Sequence, residues 1–249
     1  MKKFILLLFL IFPFLFCEAQ SFRLTQQKAT RVKAAYKEKW EGLKTDLQKK
    51  QLKENFEMYL RIFKQEEITE VWLRSKGDKE YKLFKSYEIC SSSGTLGPKR
   101  KQGDGQVPEG FYHIAVFNPY SSYHLSLGVS YPNSSDKIII GKGNAGGDIM
   151  IHGSCVTIGC VPLTDSYIKE VYLLAVEARK NGQNTIPVHI FPAKLDDKGF
   201  KKLEDEFDGN KKLIDFWKSL KPAYEQFEKY KQVPSFVIDK SGKYIVTEK

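Results

Sequence analysis

Apolar residues recur at helical spacing near both ends of the chain and alternate with polar ones through its middle. From residue 25 to about residue 55, Val32, Tyr36, Trp40, Leu43 and Leu47 recur at three- and four-residue steps among Lys, Glu and Gln. This predicts an amphipathic helical region, broken near Gly42. At Phe56 the period changes. Met58, Leu60 and Ile62 alternate with Tyr59 and Arg61, and two further alternating runs, 70–74 and 81–89, flank the turn-rich Lys76-Gly77-Asp78-Lys79, which predicts a strand and a hairpin. After a glycine-rich loop over 91–110, short strands are expected at 111–117, 124–129, 138–140 and 149–151.

One helix interrupts this β-rich centre. It begins near Asp165, whose carboxylate suits the cap, and carries Ile168, Val171, Tyr172, Ala175 and Ala178 on one stripe. Arg179 and Lys180 match the negative end of its dipole, and Asn181-Gly182 stops it. A buried strand is expected over 186–191, ended by Pro192, then a charged helical region over 194–230 and a hairpin over 235–246 turning at Lys240-Ser241-Gly242-Lys243. The pattern is α+β: a mostly β region over 56–193 between a helical region over 20–55 and a helical and hairpin extension over 194–249.

The amino terminus reads differently. Met1-Lys2-Lys3 is basic and residues 4–16 form an apolar run too short to span a bilayer comfortably, so 1–19 is expected to be an export signal cut after Ala19. Bulky Phe16 argues against a lipid anchor on Cys17, and a retained anchor is the alternative. Either way the protein is expected to be exported, to the periplasm or cell envelope.

Composition narrows the classes. With 41% hydrophobic and 28% charged residues, disorder and a multi-span membrane protein are both excluded. Lys and Arg total 40 against 30 acids, a formal charge of +10, which falls to about +9 if the signal leaves. These basic residues are scattered among acids, as on solvated helix faces, so nucleic acid is not an expected partner. Ser91-Ser92-Ser93-Gly94 and Gly103-Asp104-Gly105 lack the lysine spacing and following helix of a phosphate loop, so no nucleotide is expected either.

Cysteine arithmetic points to chemistry. If Cys17 leaves with the signal, Cys90, Cys155 and Cys160 remain, and an odd number leaves at least one thiol free or paired outside the chain. Two of these lie within Ile151-His152-Gly153-Ser154-Cys155-Val156-Thr157-Ile158-Gly159-Cys160-Val161-Pro162-Leu163-Thr164. His152 and Cys160, eight residues apart, can meet across a tight loop as a thiolate-imidazolium pair, nucleophile and proton donor together. Gly159 lets a carbonyl approach the backbone, where the amides of Gly159 and Cys160 could hold a developing oxyanion. Three other readings stay open: zinc held by His152, Cys155 and Cys160 with His189 or Cys90, a Cys155–Cys160 disulfide, and plain burial. The spacing fits no common zinc module, and no metal or cofactor is expected. His124 could face the cleft as a substrate-side group, with Gly153 and Thr157, although its strand pattern equally suits a satisfied half-buried histidine. His113 and His189 read as core. Tyr112, Tyr120, Tyr123 and Tyr131 could stack on peptide or sugar, or simply pack a sheet.

At these residues the sequence resembles the YkuD-type L,D-transpeptidases, and within them the YafK-like branch. The signature is Ile151-His152-Gly153 followed by Gly159-Cys160-Val161-Pro162-Leu163-Thr164-Asp165. Further matches lie in Gly94-Thr95-Leu96-Gly97-Pro98-Lys99, in Gly103-Asp104, in Pro108-Glu109-Gly110-Phe111-Tyr112, in Asn118-Pro119, in Tyr123-His124-Leu125-Ser126 and in Tyr131-Pro132-Asn133. The family's catalytic cysteine and histidine fall on Cys160 and His152. Two departures are visible: Ile158 stands where most of the family has a second histidine, and the interval from histidine to cysteine is short, as in the YafK-like branch. The resemblance implies a mostly β catalytic domain with mixed, sandwich-like sheets, and ping-pong acyl transfer on peptidoglycan stem peptides. It also implies that a backbone carbonyl orients His152. A hydrolase of the same fold and a non-catalytic peptidoglycan-binding module are the alternatives.

Overall fold

The computed structural model describes residues 21–247, so the expected export signal lies outside the described residues. Helix α1 (Thr30–Lys49) leads into an antiparallel meander of β1 (Phe56–Phe63), β2 (Ile68–Ser75) and β3 (Lys82–Glu88). The glycine-rich loop then enters β4 (Gly110–Asn118) and β5 (Ser126–Val129), followed by the short helix α2 (Ser134–Ile140). Next come β6 (Met150–His152), β7 (Val161–Pro162), helix α3 (Asp165–Lys180) and β8 (Pro187–Phe191). Helices α4 (Asp197–Glu206) and α5 (Lys211–Tyr230) and a hairpin of β9 (Phe236–Ile238) and β10 (Tyr244–Val246) finish the chain.

Strands β1 to β8 form one mixed sheet in the order β3-β2-β1-β8-β4-β5-β6-β7. Two of its pairings are parallel, β1 with β8 and β6 with β7. β4 joins the halves: its residues 110–113 pair with β8, and its later residues, past an irregularity between Ile114 and Val116, pair with β5. The sheet therefore turns along β4, and the smaller half carries β6 and β7 at its edge.

Both faces of the larger half are covered. Met58, Leu60 and Ile62 of β1 join Val32, Leu43 and Leu47 of α1 and Val171 and Leu174 of α3 in one core. On the other face Phe63, Phe111 and Phe191 pack with Phe200, Trp217, Leu220 and Tyr244, while Tyr59 and Trp72 meet Phe227. Arg61 is thus 1% exposed, its guanidinium 4.8 Å from the rings of Phe63 and Tyr224 and 2.6 Å from Glu228 Oε1. The alternation in β1 suggests a half-exposed strand, yet residues 194–247 supply a second layer that buries its polar side as well.

That layer is pinned to the glycine-rich loop by a buried carboxylate. Glu109, 0% exposed, accepts from Trp217 Nε1 of α5 at 2.7 Å, from Lys64 Nζ at 2.9 Å and from the Gly97 amide at 2.8 Å. Lys64 spends its remaining protons on the carbonyls of Gly97 and Val107. A charge buried this deeply is tolerated because every donor around it is aimed at it.

Several expectations need correction. α1 runs unbroken through Gly42, because its buried stripe packs on α3 and the glycine sits on the exposed side. Residues 138–140 are helical rather than a strand: Asn133 and Asp136 form a reciprocal capping box that starts α2 and leaves Ile138 and Ile139 exposed. The strand expected from residue 124 starts at Ser126, and His124 lies in the preceding turn with φ +68°. α3 is capped by Thr164, whose side chain accepts from the Tyr167 amide, which frees Asp165 for other work. His189 is core, as its strand pattern suggests: Tyr59 Oη lies 2.7 Å from its Nδ1, and burial, with the Arg61 charge adding, pushes its pKa down to about 3. His113 is not core; two residues beyond Phe111, it faces outward from β4.

The Glu109 network generates a test. Trp217→Phe keeps the ring and removes one donor to a buried carboxylate, so unfolding stability should fall by about 1–3 kcal/mol. Urea denaturation measures this, and an unchanged midpoint would show that the indole hydrogen bond does not hold the two layers together.

Candidate active site

β6 and β7 set the site. Their register pairs Ile151 with Val161 and His152 with Pro162 in parallel, and the Leu163 amide donates to the His152 carbonyl at 2.7 Å. Ile151 and Val161 are 0% and 1% exposed in the core, so by strand alternation His152 and Cys160 share the opposite face. Cys160 lies level with Met150, whose amide donates to Sγ at 3.4 Å, and the thiol points to the Asp148 carbonyl at 3.6 Å.

Residues 153–160 close the loop between the two strands. Thr157 Oγ1 accepts from the amides of Gly159 at 3.1 Å and Cys160 at 2.8 Å, and donates to the Cys160 carbonyl at 2.9 Å. The hydroxyl wraps the backbone of Cys160 into a turn. This corrects two expectations: Thr157 positions the loop, and the two amides expected to hold an oxyanion are already occupied in this structure. Gly159 has φ +131° and lies where a Cβ would come within 3.0 Å of the Gln106 carbonyl, so glycine is required for both reasons. Gly153 serves packing. A Cβ there would lie 2.7 Å from Asp165 Oδ1, 2.9 Å from Ile168 Cγ2 and 3.0 Å from His124 Cβ.

Cysteine pairing resolves the odd count. Cys90 and Cys155 form a disulfide that bridges 65 residues and fastens the loop to the chain beyond β3, and Cys160 is free. The Cys155–Cys160 bridge is therefore not formed. The zinc set is dispersed as well, since Cys90 and Cys155 are consumed in the disulfide and His189 is buried against Tyr59.

His152 Nδ1 lies 2.5 Å from the Gly153 carbonyl oxygen. A carbonyl only accepts, so Nδ1 carries the proton and Nε2 presents its lone pair, the tautomer of a general base. A backbone carbonyl thus orients the ring, as the family resemblance implies. Burial holds the imidazole below the ordinary histidine range, against an opposing contribution from that carbonyl. Burial likewise pushes the Cys160 thiol up; the Met150 amide and Lys99 oppose the rise, and Asp148 adds to it. Both shifts favour the uncharged forms, a thiol and a neutral imidazole, where the sequence suggests an ion pair. Tyr123 lies over the imidazole with ring centroids 4.8 Å apart, and His152 is 2% exposed while Tyr123 is 47% exposed. Among the four tyrosines singled out in the sequence, Tyr112 and Tyr131 are buried, Tyr120 is exposed, and Tyr123 caps the site.

Beside Cys160 opens a cavity of about 340 Å³, lined among others by Ile62, Val107, Val161, Ser91, Ser92, Ser93, Thr95, Glu67 and Glu206. Asp104 shapes the adjoining loop. Burial raises its pKa, but Lys99 and the amides of Arg100, Lys101 and Gln106 outweigh that and hold it down to about 2. His124 does not line this cavity. Its Nδ1 is 3.9 Å from Asp165 Oδ2, its carbonyl accepts from Arg31, and its Cβ backs Gly153, so it supports the loop from behind. The Cys90–Cys155 pairing, the packing of Tyr123 on His152 and the turn-closing role of Thr157 are not legible in the sequence, because each depends on a contact the folded chain makes.

Two outcomes follow from this geometry. Alkylation of Cys160 by iodoacetamide should rise with pH through a midpoint above that of an ordinary cysteine, since a raised thiol pKa delays the thiolate; a midpoint below it would mean a preformed ion pair. Replacing Cys90 and Cys155 by serine removes a cross-link whose loop-closure entropy is about 4 kcal/mol for 65 residues. Thermal or urea unfolding should register a loss of about 2–5 kcal/mol, and unchanged stability would mean that the bridge constrains nothing.

The family model for the YkuD L,D-transpeptidase catalytic domain matches residues 57–190. YafK of Escherichia coli strain K12, named as a candidate L,D-transpeptidase, is 35% identical over 193 residues, which cover 77% of this chain and 74% of that protein; its counterpart in strain O157:H7 matches equally. Two solved structures are also similar. One is the helical cell shape determining protein Pgp2 from Campylobacter jejuni, at 18% identity and TM-score 0.44 over 74% of this chain and 73% of that one. The other is Bd1075 of Bdellovibrio bacteriovorus, at 19% identity and TM-score 0.40 over 75% of this chain and 79% of that one. With more than half of its length matched by the family and 35% identity to YafK over 77% of the chain, this chain belongs to the YkuD L,D-transpeptidase family.

Proposed function

We propose that this protein is an exported cysteine acyltransferase that works on peptidoglycan stem peptides through a thioester on Cys160. The observation that carries the reading is a free thiol on the same sheet face as a histidine whose Nδ1 is committed to a carbonyl. His152 Nε2 takes the Cys160 proton as Sγ bonds to the carbonyl carbon of the residue with an L-configured centre, and the carbonyl electron pair moves to oxygen. Collapse expels the terminal D-alanine, whose nitrogen receives the proton from Nε2. An acceptor amine then attacks the thioester, gives its proton to Nε2, and displaces Cys160 as the thiol.

Uncharged partners suit this sequence of steps. A neutral imidazole is a base at the moment of attack, and the imidazolium that forms is the acid needed for the leaving amine. The cavity beside Cys160, with Ser91, Ser92, Ser93 and Thr95 in its lining, has the polar character that suits a peptide backbone. Export to the envelope is the setting in which both this substrate and the Cys90–Cys155 disulfide are at home.

Incubating the mature protein with a defined tetrapeptide muropeptide should release D-alanine and yield a new cross-linked dimer. Cys160→Ala should abolish both, and His152→Ala should slow release by about 10²–10⁴-fold. Release of D-alanine with no dimer would make water the acceptor and the protein a hydrolase. No release, with identical behaviour of wild type and Cys160→Ala, would overturn the enzyme reading.

A further inference from the structure

Tyr123 meets solvent and His152 does not. The tyrosine is 47% exposed and the histidine 2%, and their rings lie with centroids 4.8 Å apart and planes inclined by 34°. The phenol ring therefore stands between one face of the imidazole and water. A neighbour on the face leaves the edge of the ring, where both nitrogens lie, free for other work. Nδ1 keeps the Gly153 carbonyl, and Nε2 keeps its lone pair.

The tyrosine is held in place from the amino-terminal helix. Arg31, in the first turn of α1, donates from one guanidinium nitrogen to the carbonyls of Ser121 at 2.5 Å and His124 at 2.8 Å, which flank Tyr123 along the chain. The Tyr123 amide donates to Ser121 Oγ at 3.1 Å, and the Gly153 amide donates to the Leu125 carbonyl at 3.2 Å. The turn between β4 and β5 is thus tied to α1 on one side and to the end of β6 on the other. Tyrosine suits a cover at such a place, because its body is apolar and its hydroxyl can stay in water.

We propose that Tyr123 is a positioning residue: its ring, clamped through Arg31, covers the imidazole of His152 and keeps water from it, so that the imidazole stays an unprotonated base for Cys160. The proposal rests on the acyl-transfer reading of Cys160 and His152. Burial is what holds His152 below the ordinary histidine range, and the Gly153 carbonyl opposes it. The titratable and charged groups around the ring are Tyr123 on its face, Cys160 on β7 with Asp148 at its thiol, and Asp165, His124 and Arg31 beyond Gly153 and the turn. None of these charges contributes to the lowering, so access of water to the ring decides it.

Nuclear magnetic resonance titration of the His152 imidazole in wild type, Tyr123→Phe, Tyr123→Ala and Arg31→Met reads the cover directly. Removing the ring admits water, which favours the charged form, so the Tyr123→Ala midpoint should rise towards the ordinary histidine value. Tyr123→Phe should titrate with wild type, and Arg31→Met should rise by less than Tyr123→Ala. Acylation of Cys160 by a carbapenem, followed by intact mass across pH, should show its acid limb moving upward in the same order. The plateau should be about two- to tenfold lower in Tyr123→Ala, the range that one aromatic contact carries. An unmoved midpoint in Tyr123→Ala, or equal midpoints in the Phe and Ala variants, would overturn the proposal. A fall would overturn it too, since the ring would then be a cation–π partner of the imidazolium. An Arg31→Met midpoint equal to wild type would overturn the clamp. If wild type is not acylated, or His152→Ala is acylated as fast as wild type, the reading of the pair fails, whereas the titration still decides the cover.

Discussion

The parallel pairing of β6 and β7 is the constraint on which the site depends. Parallel neighbours are ordinarily joined by a crossover of a dozen or more residues, because the chain must travel back to its starting end. Here eight residues, 153–160, make the return. A connection this short closes only if its backbone is tightly folded, and each device in it serves that end. Thr157 gathers the amides of Gly159 and Cys160, Gly159 takes a left-handed conformation, Gly153 allows contact with the start of α3, and Cys155 is tied to Cys90. The result is that the residue just before β7 is fixed on the same face as the last residue of β6. Those two residues are Cys160 and His152.

The loop is braced from a distance. Trp217 in the carboxy-terminal layer holds Glu109, Glu109 holds Lys64 and Gly97, and Lys64 holds the carbonyls of Gly97 and Val107. The segment so fixed includes Gln106, whose carbonyl abuts Gly159. One buried carboxylate thereby joins the carboxy-terminal layer to the segment that abuts Gly159. The carboxy-terminal extension is accordingly a structural layer of the same unit, covering the second face of β1 and backing the loop beside Cys160.

Much of this is legible in the sequence because it depends on local period and local chemistry. The stripes of α1 and α3, the meander of β1 to β3 and the terminal hairpin all follow from spacing and turn residues. The His152–Cys160 motif is legible for the same reason, being contained in nine consecutive residues. What is not legible depends on distant partners. Arg61 reads as a solvated strand residue until α5 covers it. Residues 138–140 read as a strand because three consecutive isoleucines outweigh the Asn133–Asp136 capping box in a short window. The protonation of Cys160 and His152 is hidden too, since proximity in sequence suggests an ion pair, whereas burial of both groups favours the neutral one.

That neutral pair is the chemical core of the account: an imidazole with Nδ1–H fixed, sensing a thiol on the same face. Nuclear magnetic resonance of the imidazole nitrogens of His152, titrated in the free protein and after Cys160 is blocked by methylthiolation, reads the coupling directly. The midpoint should lie below that of an ordinary histidine in the free protein, with Nδ1 protonated at rest, and the titration should shift once the thiol is blocked. A titration that is identical before and after blocking, or a resting imidazolium at neutral pH, would contradict it.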